Sequence, residues 1–157
     1  LINKLKKTIG SDLPLFWKKQ GFLKNLRTVI SLKKQQKFFF VLIQPNIICS
    51  TKEIYSKVKK LSKKENLNHH TFKHRSKFIN YLCKNRNDLQ FIVERKYPIV
   101  KKLLTDIKNE QGCYFSRMTG SGSVCYGLFK NQKNAKKALY KLKMKYPKLW
   151  LSFAKTV

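Results

Sequence analysis

The sequence predicts an α+β fold in which helices pack on a mainly antiparallel sheet. Three observations carry this. Continuous apolar runs bounded by turn residues mark strands at 38–43, 113–117, 124–129 and 149–154. Apolar residues at three- and four-residue spacing mark helices between the first two runs and again between the last two. From residue 38 onward the order is therefore strand, helices, two strands, helix, strand.

Leu1, Ile2, Leu5 and Ile9 already hold helical spacing before Gly10, so the chain opens inside an amphipathic helix and is expected to be a piece of a longer protein. Gly10-Ser11-Asp12-Leu13-Pro14 is a turn that suits a helix start, with Asp12 near its N-terminus. Residues 15–37 are mixed and predict no particular element. The run at 38–43 ends at Gln44 and Pro45 and reads as a buried strand. Ser50 and Glu53 have the spacing of a capping box, and Ile54, Val58 and Leu61 then form a helix face. The lysine-rich stretch 62–75 has few apolar anchors and predicts a loop, with a short helix following at 77–83.

Asn87 or Asp88 can cap a further helix, which Pro98 interrupts or restarts. Ile99, Val100, Leu103, Leu104 and Ile107 carry its apolar stripe to Gly112, a natural stop. The strands at 113–117 and 124–129 are joined by Thr119-Gly120-Ser121-Gly122-Ser123. Asn131 caps a last helix bearing Ala135, Ala138, Leu139 and Leu142, and Pro147 stops it. No internal repeat and no Pro/Gly/Ser-rich linker interrupts this order.

With 157 residues, 42% of them hydrophobic, the chain can build one packed core, or one domain and part of another. Its 36 Lys and Arg face 7 Asp and Glu, a formal net charge of +29 that attracts nucleic acid or an acidic membrane surface. Only five of these cations are arginine, the residue suited to bidentate phosphate and base recognition. The lysines are spread through every segment, as expected of solvated polar faces. A basic nucleic-acid-binding module is the alternative class, although neither an RNP nor a KH signature is present.

No apolar run is long enough to span a bilayer and no signal-peptide pattern opens the chain, so no membrane association is expected. Cys49, Cys83, Cys113 and Cys125 form no C-x-x-C pair, and ordinary core thiols fit a reducing, cytoplasmic setting. His69, His70 and His74 have no carboxylate or cysteine beside them to complete a shell, so no metal site is expected there.

Three segments could carry chemistry. Asp12, held on a tight turn beside Gly10 and Pro14, could take a proton from a hydroxyl, or could only cap a helix. In Ser116-Arg117-Met118-Thr119-Gly120-Ser121-Gly122-Ser123 the glycines allow close backbone approach, and exposed N–H groups with hydroxyls suit an anion; a plain hairpin is the alternative. The third segment, 45–55, leaves Thr51 at a helix N-terminus and Tyr55 one turn later. Tyr55 is either a core aromatic or a stacking face.

The order of these segments carries more than any one of them. Gly-Ser-Asp-Leu-Pro-Leu-Phe, then Pro-x4-Ser-Thr-Lys-Glu-Ile-Tyr, then Asn87-Asp88-Leu89, then Ser-Arg-Met-Thr-Gly-Ser-Gly-Ser-Val-Cys-Tyr resembles the GHMP kinase superfamily over nearly the whole chain. Within it, the match is to the branch that uses ATP to phosphorylate the 2-hydroxyl of a cytidyl sugar alcohol in non-mevalonate isoprenoid precursor synthesis. Another GHMP small-molecule kinase would share the Gly-Ser-Gly loop but would explain Ser-Thr-Lys-Glu-Ile-Tyr less well.

The resemblance implies that Asp12 is the general base, that Thr51 lines the substrate pocket and that Tyr55 stacks on the cytosine ring. It implies that Gly120, Ser121 and Gly122 form the loop beside phosphates and substrate. ATP and Mg²⁺ are the implied cofactors and the cytidyl compound the implied partner, with no specific nucleic acid. Residues 1–36 would end an ATP-binding N-terminal domain, and 37–157 would form the C-terminal substrate domain. The family's glycine-rich ATP loop precedes the segments matched here, so this stretch is expected to be inactive alone. The segment 22–30 also lacks the family's usual Gly-x-Gly-Glu pattern.

Overall fold

A computed structural model of the chain describes residues 20–24, 28–32, 35–59, 61–62 and 74–156. Asp12 and the expected opening helix lie outside the described residues, as do His69, His70 and most of the predicted loop at 62–75.

The centre of the molecule is one four-stranded antiparallel sheet, ordered β4-β5-β3-β6. Its strands are β3 (Phe39–Gln44), β4 (Cys113–Met118), β5 (Cys125–Phe129) and β6 (Trp150–Lys155). In β3, Val41 faces Gly127 of β5 on one side and Phe153 of β6 on the other. β4 and β5 pair through the glycine-containing turn, with a register irregularity between Cys113 and Phe115. The sheet predicted from four apolar runs is thus present, and every pairing in it is antiparallel.

Period-two alternation divides the strand residues between two faces. Val41, Ile43, Cys125, Phe129, Met118 and Leu151 turn toward the main core, where they meet Val93, Val100, Leu103, Ile107, Ala135, Ala138 and Leu142 from the helices. Those helices are α3 (Gln90–Lys96), α4 (Pro98–Asn109) and α5 (Gln132–Lys145). Pro98 restarts the helix rather than kinking it. Tyr97 ends α3 and begins α4, and proline at the first position of α4 forfeits only an N–H that would have no helical partner. Asn131 caps α5 as expected, its side chain accepting from the Asn134 N–H at 2.8 Å.

The other face is aromatic. Phe38, Phe115 and Leu128 are buried against Phe78 and Ile79 of α2 (Arg75–Lys84), with Phe40 and Tyr126 half-buried beside them. α2 is longer than its predicted seven residues, gaining Arg75 and Ser76 at its start and Lys84 at its end; at that end Arg117 Nη2 donates to the Leu82 carbonyl at 2.6 Å and to the Asn85 carbonyl. A two-stranded hairpin, β1 (Gly21–Lys24) and β2 (Thr28–Ser31), packs on the same face, within the stretch 15–37 for which no element was predicted. Its strands have four residues each, too short for a distinct alternation, and Phe22 anchors it edge-on to Phe78 and Tyr81.

Two local expectations are corrected. α1 (Thr51–Ser56) ends before Val58 and Leu61, and Leu61 is 64% exposed. Ile54 is the one buried residue of that helix, so no apolar stripe extends it. The capping box is half made: Ser50 accepts from the Glu53 N–H at 3.3 Å, but the Glu53 carboxylate turns to Lys57 and Lys96. Likewise neither Asn87 nor Asp88 is the N-cap of α3. That position is Leu89, without a side-chain capping bond of its own; Asn87 serves the turn before it, its Oδ1 accepting from the Leu89 N–H at 2.9 Å, while Asp88 accepts from Ser62.

Candidate functional site

The hairpin and α2 cover only part of the aromatic face. The remainder is an open groove of about 730 Å³, floored by Phe40, Leu42, Tyr126 and Ala154. One wall is the start of the glycine loop, Met118 to Gly120, with Asn87-Asp88-Leu89 beside it; Tyr55 and Leu61 stand at the rim. The groove thus joins residues from β3, β5, β6, α1 and two loops that are distant in sequence.

Tyr55 is 58% exposed, which excludes core packing and leaves its ring face open to a ligand. Thr51, on the first turn of the same helix, meets the loop directly: its Oγ1 lies 2.9 Å from Ser121 Oγ. The structure therefore brings Thr51, Tyr55, Gly120 and Ser121 together. Both loop glycines have positive φ, +47° at Gly120 and +100° at Gly122, conformations that side chains with a Cβ resist. Their surroundings differ. A Cβ on Gly122 would lie 3.0 Å from Cys49 Sγ and 3.1 Å from Met118 Sδ, whereas one on Gly120 would meet nothing within 4 Å.

The loop is held from within and from outside. Thr119 N–H donates to the Val124 carbonyl at 2.8 Å, and Gly122 N–H to the Thr119 carbonyl at 2.9 Å. Ser123 Oγ donates to the Ile47 carbonyl at 3.0 Å. Of the N–H groups expected to hold an anion, that of Gly122 is already spent in the turn.

Next to Tyr126, Arg117 lies over the Phe115 ring at 4.5 Å. Burial pushes the Tyr126 phenol above its usual range, while the adjacent Arg117 guanidinium opposes that shift. Asp88 is held below the usual carboxylate range, first by the Ser62 hydroxyl, then by the Ser62 N–H at 2.7 Å, and less by Arg86. Glu53 is brought down to about 2, chiefly by hydrogen bonds from Lys57 and then Lys96. Tyr126 was missed as a groove residue, and Arg117 as the side chain beside it. One signal was available: Arg117 is one of only five arginines and directly precedes the loop.

Among the described residues no group of three or more His, Cys, Asp or Glu could hold a metal ion. No described helix is long and apolar enough to cross a membrane.

This arrangement of helices on a four-stranded antiparallel sheet is that of a known family. The model of the GHMP kinases C terminal matches residues 63–148, and the chain belongs to the GHMP kinase family. Among curated relatives it is similar to the 4-diphosphocytidyl-2-C-methyl-D-erythritol kinase of Pelagibacter ubique (strain HTCC1062), 33% identical over 155 residues, covering 98% of this chain and 54% of that protein. The kinase of the same name from Wolbachia pipientis wMel is 37% identical over 73 residues, 46% of this chain and 25% of that protein. The chain thus spans about half the length of the Pelagibacter relative. In fold it is similar to a crystal structure of 4-(cytidine 5'-diphospho)-2C-methyl-D-erythritol kinase, with a TM-score of 0.71 at 18% identity, over 100% of this chain and 57% of that one.

Proposed function

We propose that this chain forms the substrate-holding part of an ATP-dependent kinase acting on the 2-hydroxyl of 4-diphosphocytidyl-2-C-methyl-D-erythritol, in non-mevalonate isoprenoid precursor synthesis. The observation that carries the proposal is the placement of an exposed aromatic, Tyr55, at the rim of the groove whose wall is the glycine loop. A cytidine ring needs a π-face and its diphosphate needs close backbone approach, and the groove offers both. The names of the relatives supply the particular substrate.

In this reading Tyr55 stacks on cytosine, Thr51 contacts the substrate, and the Gly120–Gly122 loop lies along the phosphates. Residues 1–36 end an ATP-binding domain, and residues 37–157 form the substrate domain. Asp12 takes the proton as the hydroxyl oxygen bonds to the γ-phosphorus of ATP and the bond to the ADP oxygen breaks. Phosphoryl transfer of this kind depends on positioning and charge neutralisation more than on covalent help from the protein. The described carboxylates do not suit Mg²⁺, each having a partner already: Glu53 is paired with Lys57 and Lys96, Asp88 with Ser62 and Arg86, Glu94 with Gln90, Asp106 with Tyr146 and Lys145, and Glu110 with Lys141. No step of the proposal passes through the metal.

The test uses the protein with the nucleotide-binding half that the reaction requires. ATP-dependent phosphorylation of the cytidyl sugar alcohol is expected, and Asp12→Asn should lower kcat by roughly 10²–10⁴-fold while substrate still binds. Unchanged kcat in Asp12→Asn would reduce Asp12 to a helix cap, and absence of transfer by the wild type would overturn the functional reading.

A further inference from the structure

The groove wall contains a side chain whose three hydrogen bonds all serve geometry. Asn87 precedes α3, and its Oδ1 accepts from the Leu89 N–H at 2.9 Å, the local turn that asparagine favours. With that oxygen fixed, the amide nitrogen faces the opposite way, toward the end of β4. There Nδ2 donates to two backbone carbonyls, Met118 at 2.9 Å and Gly120 at 2.7 Å. An amide is the one uncharged side-chain group that can accept on one atom and donate twice on the other. The two carbonyls flank Thr119, where the strand turns into the glycine loop.

The Gly120 bond matters because little else fixes that residue. Gly120 sits at φ +47° with open space around it, whereas Gly122 is wedged between Cys49 and Met118. Packing therefore holds the far end of the loop, and at Gly120 a tether must do so. In a planar trans peptide the carbonyl and the following N–H point in opposite directions. Pinning the Gly120 carbonyl on Asn87 consequently sets the direction of the Ser121 N–H and opposes rotation of that peptide. Thr51 steadies the same residue from across the loop, through its contact with the Ser121 hydroxyl.

We propose that Asn87 is a positioning residue for the substrate site, holding the Gly120–Ser121 peptide in the orientation that receives the phosphate-bearing part of the ligand. The ligand part of this inference rests on the functional reading above; the tether does not. The polar atoms of Asn87 are all engaged within the protein, so it acts through the loop.

Asn87→Asp separates the two duties of the side chain. It keeps an oxygen to accept from Leu89 N–H, so α3 and its turn are preserved, but replaces the donor facing Met118 and Gly120 with a second acceptor. In the 157-residue chain, two-dimensional ¹⁵N NMR should show the Gly120 and Ser121 amides shifted and exchanging faster, with the melting temperature near that of the wild type. Affinity for cytidine 5'-diphosphate should fall roughly tenfold. Loop amides and affinity unchanged in Asn87→Asp would overturn the proposal and leave Asn87 as a turn cap. Should the variant not fold, the wild type still decides: slow solvent exchange of the Asn87 side-chain amide protons supports the tether, and rapid exchange of both contradicts it. If cytidine 5'-diphosphate does not bind the wild type, the functional reading fails, and the loop amides still judge the tether by themselves.

Discussion

The two faces of the central sheet are built from the same strands and treat their residues differently. On the helix-covered face, Val41, Ile43, Phe129 and Leu151 alternate inward and are sealed by α3, α4 and α5. The closeness of that packing shows at Gly127, where a Cβ would come within 2.3 Å of Ile107 Cγ2. On the opposite face, Phe38, Phe115 and Leu128 are buried, yet Phe40, Leu42 and Tyr126 are left to floor a groove. One face is closed by helices, and the other leaves aromatic surface and backbone polar groups open in a groove. This division predicts that damage to the first face appears as unfolding and damage to the second as lost binding.

The largest expected effect is on the closed face. Phe129 is fully buried, and Phe129→Ala should cost about 3–5 kcal/mol in urea denaturation through the cavity it leaves. The fraction still folded should bind cytidine 5'-diphosphate as the wild type does. A cost below about 1 kcal/mol would mean that this face is not the closed core described here.

A smaller effect sharpens the contrast within the loop. Gly122→Ala must place a Cβ at φ +100° against Cys49 and Met118 and should lose about 2–3 kcal/mol in thermal unfolding. Gly120→Ala, at φ +47° in open space, should lose about 1 kcal/mol from backbone strain alone. Equal losses at the two positions would contradict the view that packing holds one end of the loop and the Asn87 tether the other.

Most of the fold was legible in the sequence, for a physical reason. Strands covered on both faces read as continuous apolar runs, as 38–43 and 124–129 do, and helices packed on the closed face repeat apolar residues near period 3.6, as the stripe from Val100 to Ile107 does. What escaped was set by tertiary contact. The β1–β2 hairpin depends on Phe22 reaching Phe78 and Tyr81, and the end of α2 depends on Arg117.

The candidate site was legible in parts. Thr51, Tyr55 and the glycine loop were identifiable because glycine and hydroxyl residues cluster there, and resemblance ordered them. No local pattern states that Asn87 donates to carbonyls more than 30 residues away, or that Tyr126 floors the groove. Asp12 lies outside the described residues, so its role rests on the resemblance alone.

The central claim, that the open face is a ligand surface for a cytidyl compound, is tested most directly at Tyr55. Titrations of cytidine 5'-diphosphate into the wild type, Tyr55→Ala and Tyr55→Phe should be paired with melting curves. Because Tyr55 is 58% exposed, alanine should change stability by less than about 0.5 kcal/mol. It should nevertheless weaken ligand binding by about 1–3 kcal/mol, the worth of one base–aromatic stack, while phenylalanine binds almost as the wild type. Undiminished binding in Tyr55→Ala, or a loss matched by a fall in melting temperature, would contradict the account.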